Sequence, residues 1–208
     1  MKKQTLIYLS LALLALLYFG GNWLYNTTNN VVSNEKNSAL VRDYAPSLGK
    51  ANAKTVIVEF FDPACETCKA FYPFVKNIMK AHPDKIKLVM RHAPFHTDSY
   101  YVVQMLEAAK YQNRYFETLE TLYAYQDKWT INHKVTIAPI WGFLHEAGVD
   151  IENLRDDMRR PEVDERIKQD IADTKTLGIT KTPEFIVNGK PLKRFGYKEL
   201  EELINSEL

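Results

Sequence analysis

Cys65 and Cys68 are the only cysteines in this 208-residue chain, and two residues separate them. A cross-link restricts the unfolded chain most when it closes a long loop. Closing a two-residue gap restrains almost nothing, so the value of this pair is chemical. Its surroundings narrow the fold. A β-branched and aromatic run at 55–61 reads as a buried strand, and Phe71, Phe74, Val75, Ile78 and Met79 then recur at helical spacing. Strand, Cys-x-x-Cys and helix together favour a redox site. Asp62-Pro63 is a helix start signal that puts Cys65 at or near the first turn. Pro73 falls inside the helical pattern, removes a backbone hydrogen bond and is expected to kink the helix.

Glu59 interrupts the strand six residues before Cys65. A carboxylate in a core strand is costly unless paired or protonated, and burial raises its pKa. It is therefore read as a buried acid that handles the proton of the second thiol. An outward-facing place at a strand edge is the plainer alternative.

Residues 86–92 alternate well enough for a second strand, and 97–177 reads as several helices between two strand regions, an inserted helical subdomain. Gly148 ends one helix, Asp150 caps another and Pro161 opens a third. Strand returns at 184–187, Asn188-Gly189 is a hairpin turn, and 191–195 is expected as the return strand. Residues 197–208 close as an amphipathic helix with Leu200, Leu203 and Ile204 facing inward.

Lys2 and Lys3 precede an apolar stretch at 6–19, followed by Trp23 and Tyr25. Counting those aromatics, the segment reaches the roughly 20 residues that span a bilayer. Residues 1–25 are read as an uncleaved signal anchor, with a cleaved signal peptide as the second reading because no Ala-x-Ala site follows. Residues 26–45 read as a polar linker and 46–208 as the folded domain, exported to the outer side of the membrane. Basic and acidic residues number 27 and 26, which gives no bulk attraction for nucleic acid. Two cysteines also exclude a four-thiolate zinc site.

The ordered set of elements resembles the DsbA-like branch of the thioredoxin superfamily over roughly residues 46–208. The likeness is carried by Ser47-Leu48-Gly49, by Val58-Glu59-Phe60-Phe61 abutting the cysteines, by the stretch from Arg91 to His96, and by the run from Thr182-Pro183 to Asn188-Gly189. It implies a thioredoxin-like α/β fold with an inserted helical subdomain. It also implies that Cys65 is the nucleophile, Cys68 the resolving cysteine, and Pro183 a cis proline beside them, with Thr182 offering its backbone to an extended substrate. The dipeptide between the cysteines, Glu66-Thr67, departs from the family's oxidant members. A carboxylate there opposes a thiolate, so Glu66 and Thr67 are read as tuning residues that weaken the oxidant.

The expected function is thiol–disulfide exchange on exported proteins, with disulfide formation as the favoured direction and a redox partner that recycles the pair. No cofactor or metal is expected, because exchange passes through mixed disulfides. Reduction or isomerisation by the same fold is an alternative. So is a copper-handling module, in which the two thiolates hold Cu(I). Against the last, none of His82, His92, His96, His133 and His145 has a ligand spacing with the cysteines.

Overall fold

A computed structural model describes residues 17–25, 27, 36–132 and 134–208. The strands are β1 (Ser47–Leu48), β2 (Thr55–Phe61), β3 (Ile86–His92), β4 (Thr130–Ile131), β5 (Lys134–Val135), β6 (Glu184–Val187) and β7 (Lys190–Pro191). The helices are α1 (Glu66–Ala81), α2 (Ser99–Ala109), α3 (Tyr115–Ala124), α4 (Gln126–Trp129), α5 (Ile140–Phe143), α6 (Ile151–Asp157), α7 (Pro161–Leu177) and α8 (Tyr197–Glu207).

Five strands form one mixed sheet in the order β1-β3-β2-β6-β7. β2 and β3 are parallel in register from Thr55↔Ile86 to Phe61↔His92, and α1 is the crossover between them. β6 lies antiparallel on the other edge of β2, so β2 is paired on both sides. Side chains alternate across a strand. Ile57 and Phe61 therefore join the large core that includes α1, α8 and the inserted helices, whereas Val58 and Phe60 join a smaller core with Ile179 and Ile186 on the opposite face. Glu59 falls on the same face as Ile57 and Phe61.

The insertion between β3 and β6 holds α2 to α7 and differs from the all-helical expectation by the β4–β5 hairpin. Strands of two residues carry no readable period. Asp150 accepts the Asn153 backbone N–H at 2.9 Å and caps α6, and Pro161 opens α7. Asn188 and Gly189 make the β6–β7 turn with φ of 46° and 79°, the positive values a two-residue hairpin needs. The return strand spans Lys190–Pro191 rather than 191–195. Pro191 cannot donate to a ladder, and after the Leu192 N–H bonds Phe185 O the chain leaves the sheet edge.

The described residues divide into two separate units between Ser38 and Ala39. Residues 39–45, read from sequence as the end of the linker, are built into the larger one. Ala39 is buried, Arg42 pairs with Asp173, and the Tyr44 hydroxyl donates to Asp170 at 2.6 Å. In the smaller unit residues 17–25 are helical. No helix among the described residues is long and apolar enough to cross a membrane. Most of the proposed anchor, residues 1–16, lies outside the described residues, as do residues 26 and 28–35 of the linker and His133.

Candidate active site

β2 ends at Phe61, and a turn through Asp62, Pro63 and Ala64 delivers Cys65 to the N-cap of α1. The turn is closed by the Cys65 N–H on Asp62 O at 3.0 Å, and the Ala64 N–H reaches an Asp62 carboxylate oxygen at 2.9 Å. The N-terminus of a 16-residue helix carries partial positive charge, which favours a thiolate beside it. Cys65 is 6% exposed and Cys68 is fully buried one turn further on. From across the sheet, Thr182 O stands 3.4 Å from Cys65 Sγ, and the Thr182–Pro183 peptide is cis.

The two thiols are driven apart. The Cys65 thiol is lowered to about 6, first by a hydrogen bond from Cys68 and then, against burial, by the Cys68 and Thr67 backbone and Thr182. The Cys68 thiol is raised well above its ordinary value by burial, then by the bond to Cys65 and the charge of Glu59. One sulfur thus ionises readily near the surface while the other holds its proton inside.

Glu59 is fully buried, and neither carboxyl oxygen has a hydrogen-bond partner among the described residues. Its register neighbours are Met90 on β3 and Phe185 on β6, both fully buried apolar side chains. Burial, and secondarily the charge of Cys65, push it up to about 8. A carboxyl group in that range exchanges a proton near neutral pH.

A second carboxylate lies on the other side of the cysteine turn. Asp62 is also fully buried, but it is saturated. Beyond Ala64 N–H, its second oxygen accepts the His96 backbone N–H at 2.8 Å, faces His96 Nδ1 at 2.9 Å and accepts the Ser99 hydroxyl at 3.0 Å. The insertion braces the same turn through the buried Gln126, whose side-chain N–H donates to Pro63 O at 2.9 Å. Glu66, Lys69, Gln126, Asp127 and Thr130 line a cavity of about 300 Å³ beside α1.

The profile of the family described as thioredoxin matches residues 42–206. The chain belongs to that family. A thioredoxin-like oxidoreductase from Silicibacter pomeroyi DSS-3 superposes with a TM-score of 0.70 at 27% identity, covering 81% of this chain and 95% of that one. Disulfide bond formation protein D of Bacillus subtilis is 26% identical over 174 residues, 78% of this chain and 77% of that protein. The Na(+)/H(+) antiporter NhaA of Herminiimonas arsenicoxydans is 27% identical over 145 residues, 70% of this chain. The chain spans less than a quarter of the length of the antiporters it matches. These likenesses put the chain in the DsbA-like branch of the thioredoxin superfamily, whose fold it shares.

Within this thioredoxin-family fold, Cys65, Cys68, Thr182 and Pro183 meet at one end of the sheet, with Glu66 and Thr67 on the first turn of α1. Glu59 lies behind Cys68 in the core, in the middle of the sheet and not at an edge. Sequence reasoning treated Asp62 only as a helix start and His96 only as one of several scattered histidines. The structure brings both to the cysteine turn. The available signal was the Arg91–His96 stretch of the family resemblance, which marks a stretch without giving any role. Among the described residues, no group of three or more His, Cys, Asp and Glu could hold a metal ion.

Proposed function

We propose that this protein is a thiol–disulfide oxidoreductase that forms disulfides in exported proteins. The observation that carries the reading is the asymmetry of the pair: Cys65 lowered to about 6 at a helix N-cap, Cys68 raised and buried. A stabilised thiolate favours the reduced pair and hence donation of its disulfide.

In that direction a substrate thiolate attacks Cys65 Sγ of the Cys65–Cys68 disulfide. The sulfur–sulfur bond breaks, and Cys68 leaves as a thiolate that takes a proton from Glu59. A second substrate thiolate then attacks the mixed disulfide and releases the Cys65 thiolate. Two electrons pass from substrate to protein, and the disulfide of a redox partner takes them up in the recycling step. Thr182, with its carbonyl beside Cys65 and the cis Pro183 next to it, offers an edge for an extended substrate segment. Glu66 and Thr67 tune Cys65.

Cys65→Ala is expected to abolish exchange on a dithiol peptide, and full retention of activity would end the proposal. The direction is tested by the reduction potential of the pair. A value more oxidising than about −180 mV is expected, whereas one near −270 mV would make the protein a reductant.

The apolar residues 6–19, the basic start and the aromatics Trp23 and Tyr25 support an uncleaved anchor that holds the domain on the outer side of the membrane. Alkaline extraction of membranes from cells making the full chain tests this. Release of a shortened protein would show a cleaved signal instead.

A further inference from the structure

The steps above use Cys65, Cys68 and Glu59, and leave Asp62, His96 and Ser99 without a role. These three are gathered where charge matters most. Asp62 belongs to the turn that presents Cys65, since its carbonyl accepts the Cys65 N–H at 3.0 Å. Its carboxylate also receives Ala64 N–H at 2.9 Å, so it cannot turn away without opening that turn. On its other oxygen sit the His96 N–H at 2.8 Å, His96 Nδ1 at 2.9 Å and the Ser99 hydroxyl at 3.0 Å. The imidazole is therefore tied to the cysteine turn through a single carboxylate. Asp62 is fully shielded, whereas the His96 side chain is 18% exposed and can exchange protons with solvent.

We propose that the His96 imidazolium, held on Asp62, is the cation that supports the Cys65 thiolate and so sets how oxidising the cysteine pair is. His96 is a positioning and tuning residue in this scheme and takes no part in bond exchange. The inference rests on the reading of Cys65 as the exchanging nucleophile.

The physical case is a count of charges. Asp62 and Cys65 face His96 from the turn, Glu66 from the first turn of α1 and the neutral Ser99 from α2. With His96 neutral, two carboxylates stand near a nascent thiolate, and like charges so placed disfavour ionisation. With His96 protonated, the Asp62–His96 pair is neutral and one of those carboxylates is cancelled. The titration of His96 agrees: it is raised from 6.5, first by the Asp62 hydrogen bond, then, against burial, by the charges of Asp62, Cys65 and Glu66. Coupling of this kind is reciprocal, so an imidazolium favoured by the thiolate favours the thiolate equally. The Cys-Glu-Thr-Cys motif supplies no cation of its own, and this arrangement brings one from a separate loop.

The test is His96→Gln, whose side chain still donates toward Asp62 but never carries charge. Thiolate absorbance of the reduced protein is followed against pH, and the potential is measured against glutathione. The Cys65 midpoint is expected to rise by about one pH unit, a roughly tenfold loss of thiolate support. The potential is expected to fall by about 30 mV toward the reducing side. In the wild-type protein, the His96 ring followed by NMR is expected to titrate higher when the cysteines are reduced than when they are bridged. This measurement decides the matter if the variant does not fold. An unchanged thiol midpoint in a folded His96→Gln protein, or a ring that titrates alike in both redox states, overturns the proposal. Failure of Cys65 to exchange at all would instead end the reading of the nucleophile, which the thiolate titration does not depend on.

Discussion

Glu59 and Asp170 both hold a carboxyl group out of water within the same folded unit. Asp170 receives two N–H donors of Arg91 at 2.9 and 3.1 Å, the His92 backbone and ring at 2.9 Å and the Tyr44 hydroxyl at 2.6 Å. Against the upward push of burial, the hydrogen bond and charge of His92, then Arg91 and Tyr44, hold it at about 2. Glu59 receives nothing among the described residues and is pushed up to about 8. Equal burial thus gives opposite outcomes, and the donors decide which. Where the donors are supplied, the carboxylate is structural. Where they are withheld, the group stays protonated at the cost of stability and is available for proton transfer.

The comparison breaks most visibly at Asp170. Asp170→Ala leaves Arg91, fully buried, with Asp173 as its remaining carboxylate. Removing one partner of a buried ion cluster costs roughly 3–5 kcal/mol. Urea unfolding is the measurement, and a loss below about 1 kcal/mol would show the cluster to be solvated. The entry segment should loosen as well, because Arg91 also donates to Ala39 O at 2.5 Å and Leu40 O at 2.9 Å.

Glu59→Leu should act in the reverse direction. The folded-state pKa of Glu59 is raised, so the ionisation part of its burial cost is absent below about 4.5 and grows as pH climbs to about 8. Between pH 4 and pH 7 the variant is expected to gain roughly 3 kcal/mol of stability relative to wild type. The advantage should shrink toward pH 4, leaving only the cost of burying an unpaired neutral carboxyl. The same change should slow exchange, since Cys68 would lose the proton donor proposed for it. Paired unfolding curves at pH 4 and pH 7 with equal differences would remove Glu59 as a titrating group.

Asp170 gives the wild-type acid limit. Its folded-state pKa is depressed, so its contribution is complete above about 4 and is lost as pH falls toward 2. That loss is about 2 kcal/mol by linkage, measured as a falling melting temperature between those limits. In Asp170→Asn the slope over that interval should flatten.

Glu59 was legible as a buried acid because one charged letter breaks an apolar strand, and a period of two puts it on a definite face. β3, α1 and the Asn188-Gly189 turn were legible for the same reason: each is written in neighbouring residues. The Arg91–Asp170 and Asp62–His96 clusters were not. Their members are 79 and 34 residues apart, and polar side chains that satisfy one another at a distance leave no period in the sequence. The two-residue strands β4, β5 and β7 fall below the length at which alternation can be read. The chemistry of the pair could be inferred from Cys65 and Cys68, whereas the charges that set its strength come from the fold.

Glu66 supplies a third carboxylate, at the surface, and sharpens the comparison by asking what solvent removes. It occupies the first turn of α1, where negative charge complements the helix dipole but adjoins Cys65 in the chain and opposes a thiolate there. Glu66→His should therefore move two measurements in opposite directions. Helix stability should fall by about 0.3–1 kcal/mol as the favourable end charge is lost. The Cys65 thiol, already at about 6, should drop further. The drop should stay below about one unit, because charges at an exposed position are screened by water and salt. It should also shrink as salt is added, which neither buried carboxylate would show. An unchanged or higher thiolate midpoint in the variant would mean that Glu66 does not oppose the thiolate. The weakening effect assigned to the Glu66-Thr67 dipeptide would then have to come from elsewhere in the site.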